Sequence, residues 1–131
     1  MSATTPRRGF QGDSMWFRTR YLEVFQGFFD TRDRSSLQKK AAELKLVGEQ
    51  ARADGKPKRE REAFFGEAAA AEEAALAIEF DDLSDDELRA EAYLLRSCPV
   101  QTPRRRIGLW VWERRQKENR RYAQADAQQF A

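Results

Sequence analysis

No histidine occurs anywhere in the chain. That removes the commonest general base, the Ser-His-Asp and Cys-His arrangements, and most transition-metal sites. There is one cysteine, Cys98, so no intrachain disulfide, zinc cluster or iron–sulfur site can be built from cysteine. A single thiol suits a reducing compartment, and before Pro99 it reads as a small buried residue rather than a nucleophile. No apolar run reaches the length of a membrane-spanning helix, and no signal-peptide apolar region appears. No segment alternates apolar and polar residues long enough between turn signals to read as a strand. Neither Gly-x-Gly-x-x-Gly nor a phosphate-binding loop is present, no internal repeat is convincing, and no helix-turn-helix pattern fits. A carboxylate mechanism needs only Asp and Glu, but Asp81, Asp82, Asp85 and Asp86 sit at a helix entrance where capping explains them. A weak divalent-cation site is the other reading there. The chain is therefore expected to be non-enzymatic, without catalytic, cofactor-binding or metal residues.

What remains is charge and helix periodicity. Charged residues make up 35% of the 131 positions and hydrophobic ones 40%, which suits one soluble helical domain with a modest core. The net charge of +2 hides three blocks. Residues 1–63 hold 14 basic and 9 acidic groups, a net +5; residues 64–91 hold 1 and 10, a net −9; residues 92–131 hold 9 and 3, a net +6. Such blocks pair within the fold or face oppositely charged partners.

Residues 1–12 contain Pro6, Gly9 and Gly12 and read as a flexible basic arm. They weakly resemble an organelle transit segment, since no acid precedes Asp13, so an organelle matrix stands beside the cytoplasm as a location. Residues 13–131 form the single helical domain. Asp13 or Ser14 caps a helix over about Met15–Phe29, whose apolar arc (Met15, Phe17, Tyr21, Leu22, Val24, Phe25, Phe28, Phe29) covers about half the circumference. It lies centrally or buries part of itself against a second copy of the chain. Trp16 lies off the arc beside Arg20, as a candidate contact pair.

A second helix begins at Ser35, with Gln38 closing a capping box, and carries the stripe Leu37, Ala41, Leu44, Gly48 and Ala51 with Val47 at its edge. Asp54-Gly55-Lys56-Pro57 ends it and opens a third helix, to about Ile78. Folding at Gly55 sets Phe64 opposite Val47, Ala68 opposite Leu44, Ala71 opposite Ala41 and Ala75 opposite Leu37, a close antiparallel αα-hairpin. Ser84-Asp85-Asp86-Glu87 is a capping box for a fourth helix, with Leu83 and Leu88 as its hydrophobic staple; Leu88, Ala92 and Leu95 face inward with Tyr93 and Leu94 alongside. Cys98-Pro99 ends this helix, Val100–Pro103 is extended, and a fifth helix follows. The fold class expected is all-α: a small bundle of about five helices built on a central antiparallel hairpin.

The stretch Arg104–Tyr122 holds eight of the 24 basic residues and two of the three tryptophans. On a helix, Ile107, Trp110, Val111 and Arg114 share one side, and Lys117 and Arg121 continue the line from Trp110. The end, Ala123–Ala131, is rich in Ala and Gln and is expected to fray unless Phe130 docks. The residues nominated for partner binding are Arg104, Arg105, Arg106, Trp110, Arg114, Lys117, Arg121 and Tyr122, with Trp16 and Arg20. Two readings compete. In one the cations are neutralised inside the fold, Glu72 and Glu79 offering matching spacing. In the other they meet an external anionic surface. The function expected is a helical interaction protein that binds a protein partner or serves as a small subunit or regulator of a larger assembly. A phage or mobile-element protein acting on a host machine is one such setting. The alternative is a nucleic-acid-binding accessory protein using the same helix, with aromatic stacking beside the cations.

Overall fold

The computed structural model describes residues 20–130. Five helices and no strand occupy the described residues: α1 over residues 20–31, α2 over Arg34–Ala53, α3 over Lys58–Asp81, α4 over Asp85–Ser97 and α5 over Pro103–Phe130. The all-α expectation holds. The arm at 1–12, the cap at Asp13 or Ser14, the start at Met15, and Trp16 lie outside the described residues. None of the described helices is long and apolar enough to cross a membrane. Contacts divide the chain after Ala75, within α3, into two units.

In the first unit, α1 buries Phe25 and Phe29, whose rings stack with centroids 6.4 Å apart. Leu22, expected on the apolar arc, is 53% exposed instead. The helix runs two residues past Phe29 and stops where Arg32 takes φ 57°, a left-handed conformation that costs a side-chain-bearing residue about 1 kcal/mol. The stop is secured locally: the Arg32 amide donates to the Phe29 carbonyl and the Thr31 hydroxyl to the Phe28 carbonyl. The Arg32 guanidinium also lies over the Phe29 ring. Only two residues separate α1 from α2, so Ser35 falls inside the helix. The cap is Asp33, whose carboxylate accepts from the Ser36 amide at 3.0 Å. The expected Ser35–Gln38 box is displaced by an acid, the better partner for the positive end of a helix.

The turn at 54–57 is a Schellman motif: the Lys56 amide donates to the Ala51 carbonyl, the Gly55 amide to the Arg52 carbonyl, and Gly55 supplies φ 71°. Pro57 sits just ahead of α3 rather than in its first turn, its carbonyl accepting from the Glu60 and Arg61 amides. The hairpin is antiparallel, because Arg52 lies over Phe65 near the turn while Lys45 pairs with Glu72 farther away. Leu37, Ala41, Gly48 and Ala51 are buried on α2, and Ala68, Ala71 and Ala75 on α3. The partner expected at Val47 is corrected. Val47 is 46% exposed, and the close approach comes at Gly48, where an added Cβ would stand 2.8 Å from Phe65 Cζ. A β-branched residue is pushed to the rim because the helices touch where one has no side chain. Ala70 and Ala74 are buried as well, and the Tyr21 hydroxyl of α1 donates to Glu73 on α3. This stretch of α3 is thus covered on more than one side, which explains alanine in almost every position.

In the second unit, α4 and α5 form another antiparallel pair, since Arg105 reaches Leu95 at one end and Arg115 reaches Asp85 at the other. Phe80, Leu88, Ala92, Leu95, Ile107 and Val111 are buried. Gly108 lets α5 come close: a Cβ there would run into Leu95 Cδ1 and lie 3.0 Å from Phe80 Cζ. The α4 entrance is as expected. Ser84 Oγ accepts from the Glu87 amide at 3.2 Å, and Glu87 Oε1 accepts from the Ser84 amide at 2.9 Å. Tyr93 and Leu94, placed alongside the inner face by the sequence, are 72% and 62% exposed. The inner face of this 13-residue helix is the narrow line Leu88, Ala92, Leu95, a single-neighbour stripe. Cys98 is half-buried, its amide bonded to the Leu95 carbonyl.

Candidate partner-binding face

The fifth helix starts cleanly. Thr102 Oγ1 accepts from the Arg105 amide at 3.1 Å, and Pro103 occupies the first helical position, where its missing amide costs nothing. From there its basic residues divide by what they touch. Arg104 places its guanidinium 4.8 Å from the Phe80 ring centroid and 3.9 Å from Glu91. Arg105 is half-buried, with Nε donating to the Leu95 carbonyl at 3.0 Å and Nη1 to Gln101 at 2.9 Å. It closes the last turn of α4, whose carbonyls have no helical partner of their own. Arg106 is exposed.

Arg115, which the helical wheel sets only at the flank of the basic line, is the most embedded. Its side chain is 14% exposed. Nη1 donates to the Leu83 carbonyl at 2.6 Å and lies 3.4 Å from Asp85, while Nη2 donates to the Asp81 carbonyl at 2.6 Å and sits 3.2 Å from Asp81 Oδ1. The guanidinium fork serves orphan carbonyls where α3 ends and carboxylates where α4 begins. The acidic stretch 81–86 is thus partly a docking point for an arginine of the same chain. The sequence carried one hint, opposite charge between the −9 and +6 blocks, but no register to say which arginine.

The remaining nominated residues sit on the outer part of the helix. Trp110 and Arg114 are half-buried, with the Arg114 guanidinium 5.8 Å from the tryptophan ring centroid and 3.7 Å from Glu118. Trp110, Glu113, Arg114 and Lys117 line a shallow hollow of about 180 Å³. Every residue from Lys117 to Gln129 is exposed, including Arg120, Arg121 and Tyr122. The helix nevertheless continues to Phe130. The stretch from Ala123 to Gln129 has neither Gly nor Pro and is mostly Ala and Gln, good helix formers, with Asp126 among them. Lys117 and Arg121 have no carboxylate within ion-pair range among the described residues. Glu72, offered with Glu79 as an internal counter-charge, pairs with Lys45 of its own unit. Arg20 is exposed on α1, and Trp16, its expected neighbour, lies outside the described residues.

The site thus places Trp110, Arg114, Lys117, Arg121 and Tyr122 along one length of helix and assigns Arg105 and Arg115 to holding the fold. Among the described residues no cluster of three His, Cys, Asp or Glu side chains is placed to hold a metal ion. No known protein family, curated protein or solved structure matches the chain.

Proposed function

We propose that the protein is a non-enzymatic helical interaction protein, which engages a protein partner through the outer half of α5 as a small subunit or regulator of a larger assembly. The observation that carries this reading is the uninterrupted exposure of Lys117–Gln129 on a continuous helix. An exposed helical segment of this length contributes little to the stability of its own domain. Lys117 and Arg121, one turn apart on that segment, repel each other. Both features are costs to the isolated chain and become useful when an anionic surface lies opposite. The nucleic-acid alternative draws on Tyr122, 71% exposed next to Arg121, as a stacking platform. It ranks second because Arg104, Arg105 and Arg115 are engaged within the fold, which leaves a narrow cationic strip with Glu113, Glu118 and Asp126 on the same helix.

The test is the triple variant Arg114→Gln, Lys117→Gln, Arg121→Gln in the full chain. Its melting temperature should change little, since Lys117 and Arg121 are exposed and the Arg114–Glu118 ion pair is open to solvent and worth little. Capture of the wild-type chain's partner from nuclease-treated extract should weaken and lose much of its salt dependence. Undiminished capture would remove this face from the reading. Capture that vanishes on nuclease treatment would replace it with the nucleic-acid reading.

A further inference from the structure

Resting on that reading, we infer that the α5 face takes an acidic α-helix belonging to a different protein. Trp110, Arg114, Lys117, Arg121, Gln124 and Gln128 follow one another in steps of four and three, so they form a single seam along one side of the helix. This is the spacing another helix reads, with its own residues seated between successive turns. The cationic part, Arg114 to Arg121, is about 10 Å long at the usual rise per residue. Glu113 and Glu118 fall about 70° to either side of the seam. The positive strip is therefore narrow, with Glu118 on one border and Glu113 beside the exposed Arg120 on the other. A phosphate backbone, wider and negative throughout, would meet those carboxylates; a helix with an acidic seam and basic flanks would pair with all three lines at once. The half-buried Trp110 and the hollow beside it, at the fold-proximal end of the seam, suit one apolar side chain of that helix as an anchor.

A second copy of the chain does not fit this seam. In a parallel pairing each cation faces its own copy. In an antiparallel pairing centred on the cations, Arg114 faces Arg121 and the two copies of Lys117 meet each other. Either arrangement sets like charges opposite each other. The occupant is thus a partner whose charge is opposite and whose periodicity is the same.

The experiment uses the full chain and two synthetic peptides of identical composition. One carries glutamates at i, i+3 and i+7, lysines on both flanks and a leucine one turn beyond the acidic seam. The other has the same residues shuffled out of helical register. Fluorescence anisotropy should show the patterned peptide bound roughly tenfold or more tightly, the combined effect of three exposed charge pairs. The charge-reversed variant Arg114→Glu, Lys117→Glu, Arg121→Glu should reverse the preference toward a peptide with lysines in the seam. Equal binding of patterned and shuffled peptides, no binding of either at millimolar concentration, or tighter binding of an oligothymidylate that displaces the patterned peptide would each overturn the inference. The glutamine variant keeps the two proposals separate. If it loses partner capture while the peptides are not distinguished, the face stands and the helical partner falls. If capture is undiminished, both fall.

Discussion

Replacing Arg115 by alanine should unfold the second unit's end far more readily than replacing any other arginine of α5. The guanidinium makes two short bonds to backbone carbonyls, Leu83 and Asp81, and lies beside two carboxylates, with 14% of its side chain exposed. Hydrogen bonds to a charged group are worth about 1.5–3 kcal/mol each when one partner is removed. Asp81 and Leu83 are only half-buried, so water can take over part of the lost bonding and the lower end of that range applies. The two carbonyl bonds with the lost packing of the arginine stem then give about 2–4 kcal/mol. For a chain of this size that corresponds to a fall in melting temperature of roughly 6–15 °C. Lysine should recover part of the loss, since it keeps the charge but cannot reach both carbonyls with one planar fork. Thermal melts followed by circular dichroism at 222 nm test this, with Arg121→Ala as control. Arg121 is exposed, and its loss should move stability by no more than about 0.5 kcal/mol. If Arg115→Ala melts within about 2 °C of the parent, the guanidinium is not holding the α3–α4 junction and the division of labour along α5 is wrong.

Ala71 is fully buried on the α3 side of the hairpin, so Ala71→Leu should overpack it and cost about 1–3 kcal/mol in chemical denaturation. Val47→Ser, at a position 46% exposed, should be nearly silent; the reverse ranking would restore Val47 to the interface. Ser84→Ala removes the acceptor for the Glu87 amide and should cost about 1 kcal/mol. The Glu87 carboxyl is held below its ordinary value by the bonds from the Ser84 amide and hydroxyl. A depressed folded value stabilises above the ordinary carboxylate range, and that contribution is lost as pH falls through the depressed value. The side-chain carbon shift of Glu87, followed by NMR, should therefore titrate at higher pH in Ser84→Ala than in the parent. An unchanged titration would mean that the hydroxyl contributes nothing and the Ser84 amide alone lowers it.

Much of this molecule was determined by local chemistry. The box at Ser84–Glu87 needs only a hydroxyl, an acid three residues on and the free amides of a helix start, so it formed where the residues stood. Gly55 marked the hairpin turn for the same kind of reason, since a left-handed residue ends a helix most cheaply when it has no side chain. The α2 stripe followed from the helical period, and its small residues implied a close neighbour. Periodicity cannot choose between adjacent lines on a helix, and here the tertiary structure decided. It seated Gly48 rather than Val47 against an aromatic ring, and turned Tyr93 and Leu94 outward because α4 in its unit uses a single narrow line. It also put the cap of α2 on Asp33, because the short connection from α1 left Ser35 inside the helix. The basic helix shows the same limit most plainly. Eight cations between Arg104 and Tyr122 were visible in the sequence as one charged run, and a helical wheel ranks them by angle alone. Which of them meets orphan carbonyls depends on where α3 stops and α4 starts in space, and that separates Arg105 and Arg115, which hold the fold, from Lys117 and Arg121, which face solvent.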